Sequence, residues 1–523
     1  MSFREPSSSI SAPCAFPCAE IERTGEGRGI SAPETGAPGA PLARAGVADR
    51  RPLRVAVFSV LALLLAGCAV GPKYERPSAA VPAGYKEAAN FKVAEPNDAT
   101  AKGMWWEVYG DPQLNALEEQ ISVSNQTLKA AQAQFAEARA ALRISRAGYY
   151  PTVTAGLAAS RFRDSPNRPL AGSNPSATFN DFQLPVDVAY EPDVWGRVRR
   201  TVESARSEAQ ASAADLASVD LSLHAELALD YFQLRGLDSQ KQLLDSTVVA
   251  YQKAFELTQS RYQGGIASAV DVAQAQTQLE TTRAEAADVE VERAALEHAI
   301  AVLTGKPPAE LSMSRVPLVA PPPQIPTGLP SELLERRPDI AAAERRVQEA
   351  NAQIGVARAA YFPLIMLTGS GGFESTRLGT FLQGASGFWS LAGSAAELVF
   401  DGGERRGVSE QARAAYDASV DNYRQTTLTA LQEVEDNLAA LKILQEEGQT
   451  EDAAVAAAQH SLDLSDSRYR GGVASYLEVT TAQSAALADE RAAVDILTRR
   501  MTASVLLIKA LGGGWNVSQL PSM

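Results

Sequence analysis

The sequence predicts a mainly α-helical chain that contributes strands to a membrane β-barrel and is built from two tandem copies of one unit, a helix, two strands and two long helices. Internal repetition is the first observation behind this, because a repeat defines architecture before any motif does. Ser260-Arg261-Tyr262-Gln263-Gly264-Gly265-Ile266-Ala267-Ser268 returns 207 positions on as Ser467-Arg468-Tyr469-Arg470-Gly471-Gly472-Val473-Ala474-Ser475. The register persists, with Asp271 answered by Glu478, Ala275-Gln276 by Ala482-Gln483 and Gly305 by Gly512. The second observation is a pair of proline-free stretches, Val198 to Tyr262 and Val408 to Tyr469. As continuous helices each reaches roughly 90 to 100 Å at about 1.5 Å per residue, too long to fold back into a globule. The third is alternation in Phe182, Leu184, Val186, Val188 and Tyr190, set among Asp181, Gln183, Asp187 and Glu191, which gives a strand one oily and one wet face.

Composition agrees with long helices. Hydrophobic residues make up 45% of the chain and aromatics only 7%. A formal net charge of -14 argues against nucleic acid, whose phosphates need a clustered basic surface. An enzyme is not expected either. His224, His298 and His460 lie inside helical stretches without metal-ligand partners at close spacing, and no phosphate loop or nucleophile motif is present. No metal and no cofactor is expected beyond the lipid described next.

Residues 1–46 are rich in Pro, Ala, Gly and Ser and read, Cys14 and Cys18 included, as an unstructured or non-native extension, with Val47 the expected start of the true leader. Arg50, Arg51 and Arg54 precede an apolar run from Val55 to Leu65, long enough for a signal-peptide core and too short to span a bilayer. The run ends in Leu65-Ala66-Gly67-Cys68, which resembles the box read by the lipoprotein signal peptidase, so 47–67 is the expected signal peptide and Cys68 the expected lipid anchor. Ala69 does not match the aspartate that retains lipoproteins at the inner membrane, which directs the chain to the outer one. Residues 68–111 form an N-terminal mature segment whose Trp105-Trp106 pair reads equally as an interfacial belt or as packing on the helices.

The first copy spans 112–306. Its opening helix, about Pro112 to Gly148, stops before Tyr149-Tyr150-Pro151; strands follow at Val153 to Arg163 and around Phe182 to Tyr190, separated by a loop with Pro166, Asn167, Pro169, Asn174 and Pro175. An aspartate-glycine turn, Asp193 to Gly196, leads into the long helix. Its end at Arg261, Tyr262, Gly264 and Gly265 is a turn, since glycine admits the left-handed geometry that terminates a helix. A proline-rich bridge occupies 307–330. The second copy, 331–514, repeats the order: a helix from Ser331 to Ala360, Tyr361-Phe362-Pro363, strands at Leu364 to Phe373 and Trp389 to Phe400, Asp401-Gly402-Gly403, the long helix, and a turn at Arg468, Tyr469, Gly471 and Gly472. The return helices carry sevenfold apolar spacing, Val289, Leu296 and Leu303 in one and Leu487, Val494, Met501 and Ile508 in the other, as coiled-coil packing requires. Residues 515–523 are a tail.

Four strands cannot close a barrel alone, and hydrocarbon tolerates no open edge. Two chains give about eight strands, an interior filled by side chains, whereas three give about twelve and leave a lumen, so a homotrimer is expected. Gly328-Leu329-Pro330-Ser331-Glu332-Leu333-Leu334-Glu335-Arg336-Arg337-Pro338-Asp339-Ile340, then Ala350-Asn351-Ala352-Gln353-Ile354-Gly355-Val356-Ala357 and Tyr361-Phe362-Pro363, resemble the signature of outer-membrane efflux proteins of the TolC family. Cys68 to Pro77, Trp105-Trp106 and Gly110-Asp111-Pro112 resemble its lipoprotein branch, often termed NodT-type.

The resemblance implies a trimer with a twelve-stranded barrel in outer-membrane lipid and an α-helical periplasmic tunnel. It implies a periplasmic adaptor and an inner-membrane pump of the resistance-nodulation-division class as partners, and passive export of small toxic molecules or drugs. It places the glycine turns at the periplasmic tip. It also makes Leu477, Glu478 and Thr481 a gate, where Leu477 matches the apolar constriction, Glu478 the first acidic ring, and Thr481 departs from the aspartate of the second. A protein-secretion duct and a structural coiled-coil lipoprotein are the alternatives.

Overall fold

The computed structural model describes residues 70–87, 104–163, 165, 178–326 and 330–523. The leader, Cys68, Cys14 and Cys18 lie outside the described residues. A short 3-10 turn, Trp105–Tyr109, precedes α1, Pro112–Ser124, and α2, Gln126–Ala147. The single helix expected from Pro112 to Gly148 is therefore two. Asn125 breaks it by taking an extended conformation, φ -62° and ψ 127°, with its carbonyl oxygen accepting from the Leu128 N–H at 2.9 Å and its amide donating to the Leu303 carbonyl at 2.8 Å. The second copy breaks at the matching place, between α5, Leu333–Arg336, and α6, Pro338–Ala359. Here the cause is Pro338, whose ring drives Arg337 out of the helical region to φ -99° and ψ 124°.

Strands β1, Thr152–Ala155, β2, Ala158–Arg163, and β3, Thr178–Tyr190, follow α2; β4, Leu364–Ser375, and β5, Gly387–Ala396, follow α6. All neighbours are antiparallel, and the order runs β1 with β2, then β3, β4 and β5. β1 and β2 are one strand in a single register on β3, interrupted opposite Pro185, which has no N–H to give the ladder; the Gly156 N–H still reaches the Pro185 carbonyl at 2.9 Å. Four strands result, and the β3–β4 pairing, Phe182 opposite Ser375 through Tyr190 opposite Leu367, joins the two copies. β5 stops at Ala396 instead of reaching Phe400, because its partner β4 begins opposite it at Leu364, directly after Pro363.

The long helices are α3, Arg197–Gln263, and α7, Glu404–Arg470, each 67 residues; the returns are α4, Ala269–Leu303, and α8, Tyr476–Ala510, each 35. At about 1.5 Å per residue α3 and α7 are roughly 100 Å long. Of the sevenfold apolar positions, Val289, Leu303, Leu487, Met501 and Ile508 are buried, and Val289 and Leu487 share a cluster with Leu244 and Ala286. The main core lies where the return helices end: Trp105, Trp106, Leu227, Tyr231, Phe232, Leu438 and Val505 belong to it. The proline-rich bridge is tied down beside it, with Asp238 accepting from Arg235 at 3.0 Å, from Arg293 at 2.7 Å and from the Val316 N–H at 3.0 Å.

Gly305 and Gly512, noted above only as repeat mates, have the same task. Each follows a return helix with positive φ, 72° and 93°, and each lies against the helix break of its own copy. A Cβ on Gly512 would stand 2.1 Å from the Arg336 carbonyl oxygen, and one on Gly305 2.5 Å from that of Ser124. Gly512→Ala is expected to cost about 2 kcal/mol or more, from left-handed strain together with a backbone clash. A clear drop in apparent melting temperature in detergent checks this; an unchanged midpoint contradicts it.

Candidate functional site

The two glycine turns close in the same way. The Ile266 N–H bonds the Arg261 carbonyl at 2.8 Å and the Gly265 N–H that of Tyr262 at 2.9 Å; Val473 to Arg468 and Gly472 to Tyr469, both at 3.0 Å, repeat the pattern. This double bond satisfies the orphan carbonyls of the helix end and requires the left-handed residue supplied by Gly265 at φ 74° and Gly472 at φ 76°. The copies then diverge. Ser268 and Asp271 form a reciprocal cap on α4, whereas Glu478, in the position of Asp271, leaves Ser475 without a side-chain cap bond and pairs with Arg468 at 3.1 Å. Sequence spacing missed that pairing, which brings Arg468 to the expected gate.

Leu477 is 58% exposed, and Glu478 and Thr481 are exposed beside it on the first turns of α8, so the expected gate residues do share a free surface. The Thr481 hydroxyl is spent on its own helix, donating to the Leu477 carbonyl at 2.8 Å. Tyr262 and Tyr469, equivalent in sequence, differ: Tyr262 is exposed, while Tyr469 is buried with Tyr476, Val479 and Ala275 under the Arg261 guanidinium, 4.7 Å from the ring centre. Arg261 also donates to the Arg470 carbonyl at 3.4 Å. Higher up, the same two hairpins are tied by the Tyr251 hydroxyl on the Gln483 carbonyl at 3.1 Å, Gln278 on Ser484 at 3.2 Å and Arg491 with Glu285 at 2.9 Å. These contacts bind α8 to the α3–α4 hairpin.

At the other end, Phe182, Leu184, Val186, Val188 and Tyr190 lie on one face of β3, since successive side chains of a strand alternate. Cross-strand pairing extends that face through Leu367 and Phe373 to Trp389 and Leu391, the last two 79% exposed, while Gln183, Asp187, Ser370 and Ser390 fall on the opposite face. An apolar outside and a polar inside, with edges at β1–β2 and β5 unpaired among the described residues, is a segment of a membrane barrel. Among those residues no helix is long and apolar enough to cross a membrane.

A third feature was not legible in the sequence. His224, expected on a helix face, is buried: its Nδ1 is 2.7 Å from Glu118 Oε2 and its ring stacks on Trp106 at 4.3 Å, while Trp105 and Trp106 pack in the core. Burial raises Glu118 to about 7. Burial alone would lower His224, but hydrogen bonds to Asp220 and Glu118 outweigh it and lift the imidazole from 6.5 to about 9. A raised folded value means that the stabilisation from His224 is fully present below pH 6.5 and is lost as pH rises through about 9. The apparent melting temperature is expected to fall between pH 7 and 10, by an amount equivalent to roughly 2 to 3 kcal/mol. In Glu118→Leu/His224→Leu the slope is expected to flatten, and a parent curve equally flat contradicts the pairing. No cluster of His, Cys, Asp or Glu able to hold a metal occurs among the described residues.

Comparison with known proteins bears on the whole chain. The outer membrane efflux protein family matches residues 117–306 and 329–513, which are the two copies. Outer membrane protein OprJ of Pseudomonas aeruginosa is 34% identical over 472 residues, covering 89% of this chain and 97% of its own. The toluene efflux pump outer membrane protein TtgC of Pseudomonas putida is 33% identical over 466 residues, 88% of this chain and 95% of its own. Among solved structures, the outer-membrane channel OprN superposes with a TM-score of 0.80 at 31% identity, covering 86% of this chain and all of its own. The Campylobacter jejuni CmeC channel gives 0.81 at 26%, covering 86% and 96%. With both copies matched and the glycine turns, long hairpins and strand sheet in place, the chain belongs to the outer membrane efflux protein family of TolC type, the outer-membrane channel components of bacterial efflux pumps.

Proposed function

We propose that three copies of this chain close a twelve-stranded barrel and a helical periplasmic tunnel that passively carries small toxic molecules or drugs outward. An adaptor and an inner-membrane pump of the resistance-nodulation-division class would supply them. One observation carries the trimer. α6 packs between α3 and α7, whereas among the described residues its repeat mate α2 packs on α3 alone of the long helices, which leaves one flank of α2 without a long helix against it. By the repeat, that flank takes α7 of the next subunit. The residues fit this register. Where α6 offers Gly355 to Arg200 of α3, 2.8 Å from a would-be Cβ, the mates are Arg143 on α2 and Gly407 on α7, so the arginine comes from the other side and the glycine receives it. Glu410 of the partner subunit, mate of the Glu203 that pairs with Arg200 at 2.7 Å, would then add Arg143 to the Arg406 it holds at 2.9 Å within its own helix.

Expression in a Gram-negative cell lacking its own channel, together with a matching adaptor and pump, tests the function by dye accumulation. Restored efflux is expected. Unchanged accumulation with the protein in the membrane, or export of a protein substrate instead, contradicts it.

The lipoprotein assignment has local support. The Val70 N–H bonds the Trp195 carbonyl at 3.1 Å and Arg200 donates to the Pro72 carbonyl at 3.0 Å, beside the ends of β3 and β4. Cys68 precedes Val70 by two positions in the sequence and lies outside the described residues. Mass spectrometry of the mature amino terminus decides it: an acylated Cys68 supports the anchor and a free thiol refutes it.

At the tip, three Glu478 carboxylates around a narrow axis attract cations, with Arg468 tempering each. Glu478→Gln is expected to lower cation selectivity in reversal-potential measurements across a salt gradient. An unchanged ratio removes the ring from the account.

A further inference from the structure

We propose that the groove between α2 and α3 is a docking site for an extended, acidic polypeptide segment of a partner protein. The internal repeat shows what such a groove holds. In the second copy, the equivalent surface of α6 and α7 is covered by residues 70–79. There Asn351 donates to the Pro72 carbonyl at 3.3 Å, the Tyr74 hydroxyl donates to Glu344, and Arg424 donates to the Ser78 carbonyl at 3.4 Å. Tyr74 and Ala79 pack against the core that contains Ile340, Val347 and Tyr423. Gly71 passes so close to Gly355 that a Cβ would stand 2.6 Å from its Cα.

Among the described residues, no N-terminal segment covers the same surface in the first copy. α2 matches α6 residue for residue at an offset of 212, and α3 matches α7 at 207, so Leu128, Phe135 and Leu216 occupy the places of Ile340, Val347 and Tyr423. They line a groove of about 810 Å³, bounded on one side by the tail at Pro521 to Met523. From Leu128 to Arg146 it is about 27 Å long at the helical rise, room for roughly eight extended residues.

Charge selects the occupant. The filled seat presents a buried carboxylate, Glu344, to the Tyr74 hydroxyl and the amide of Asn351 to the Pro72 carbonyl, while Arg76 of the segment, which also carries Lys73 and Glu75, donates to the Leu334 carbonyl at 3.2 Å. The mates of Glu344 and Asn351 in the open groove are Gln132 and Arg139, each one unit more positive. Arg139, Arg143 and Arg146 line the groove with one carboxylate, Asp220, which is turned to His224 at 3.6 Å; Arg139 and Arg146 have no ion-pair partner among the described residues, in a chain of net charge -14. The basic segment that suits one seat is therefore wrong for the other, which calls for carboxylates beside apolar side chains. Arg143 lines the groove and also stands at the proposed subunit seam, so the groove borders that seam, and the oligomer readout below separates the two.

A fluorescein-labelled decapeptide with the sequence of residues 70–79, carrying Lys73→Glu and Arg76→Glu, is the probe, titrated by anisotropy into the full-length protein in detergent. It is expected to bind at least tenfold more tightly than the unaltered decapeptide. Arg139→Glu is expected to weaken it tenfold or more and Arg139→Gln to weaken it less, while Arg424→Glu, on the filled seat, leaves it unchanged. Equal affinity of the two peptides, or indifference to Arg139→Glu with the protein folded by circular dichroism, overturns the proposal. Two other outcomes also overturn it: saturable binding of phosphatidylglycerol nanodiscs abolished by Arg139→Glu with the peptide silent makes the groove a lipid seat, and dissociation of the oligomer by Arg139→Gln with the peptide silent makes it part of a subunit contact.

Discussion

Val188→Arg is expected to abolish assembly in the outer membrane. Val188 lies two residues before the end of β3, on the face shared with Val153 of β1, Gly369 of β4 and Leu391 of β5, among apolar neighbours. An arginine on the lipid face of a barrel costs about 2 to 4 kcal/mol near the midplane, and in a trimer the change occurs three times around one ring. Gln183→Arg, five residues away and on the opposite face, is expected to be tolerated. Membrane fractionation reads the difference, and equal recovery of the two variants contradicts the assignment of the faces.

The second large effect concerns the tip. Removing the ties between the two hairpins, with Arg261→Ala, Tyr251→Phe and Arg491→Glu together, deletes a cation–π contact, a buried hydroxyl bond and an exposed ion pair. The ion pair is worth little, about 0 to 1 kcal/mol, because both partners are exposed. The buried hydroxyl and the arginine over Tyr469 contribute about 1 kcal/mol each. A bias of roughly 2 to 3 kcal/mol per subunit, present three times, separates a closed from an open population by several orders of magnitude. Single-channel conductance in planar bilayers is expected to rise severalfold over the parent. A triple variant that inserts normally and conducts like the parent shows that these contacts do not hold the tip shut.

Much of this was readable before any coordinates. The nonapeptide repeat gave the two copies, and the lack of proline gave helices that prove to be 67 residues long in each. Alternation in Phe182 to Tyr190 identified the apolar face of β3, because a strand with one apolar face repeats every second residue. The helix break at Arg337 was signalled by Pro338 and overlooked, while the break at Asn125 had no comparable mark, since an asparagine within a helical pattern becomes a cap only when a neighbour such as the Leu303 carbonyl receives its amide. The Glu118–His224 pair spans 106 positions and the Arg468–Glu478 pair crosses a turn, so neither has a sequence period. The asymmetry between the filled and open grooves also escaped, because it depends on where residues 70–79 lie.

Subunit closure is the central claim, and the repeat specifies where to test it. Gln353 on α6 donates to Ser204 on α3 at 2.7 Å; the mates of this pair are Ala141 on α2 and Gln411 on α7, which the proposed trimer would bring together across its subunit seam. With Ala141→Cys and Gln411→Cys in one chain, a short thiol cross-linker is predicted to yield covalent dimers and trimers on denaturing gels, ending at three, and neither single variant is predicted to yield trimers. No cross-link, or a ladder that continues past three, would contradict the account.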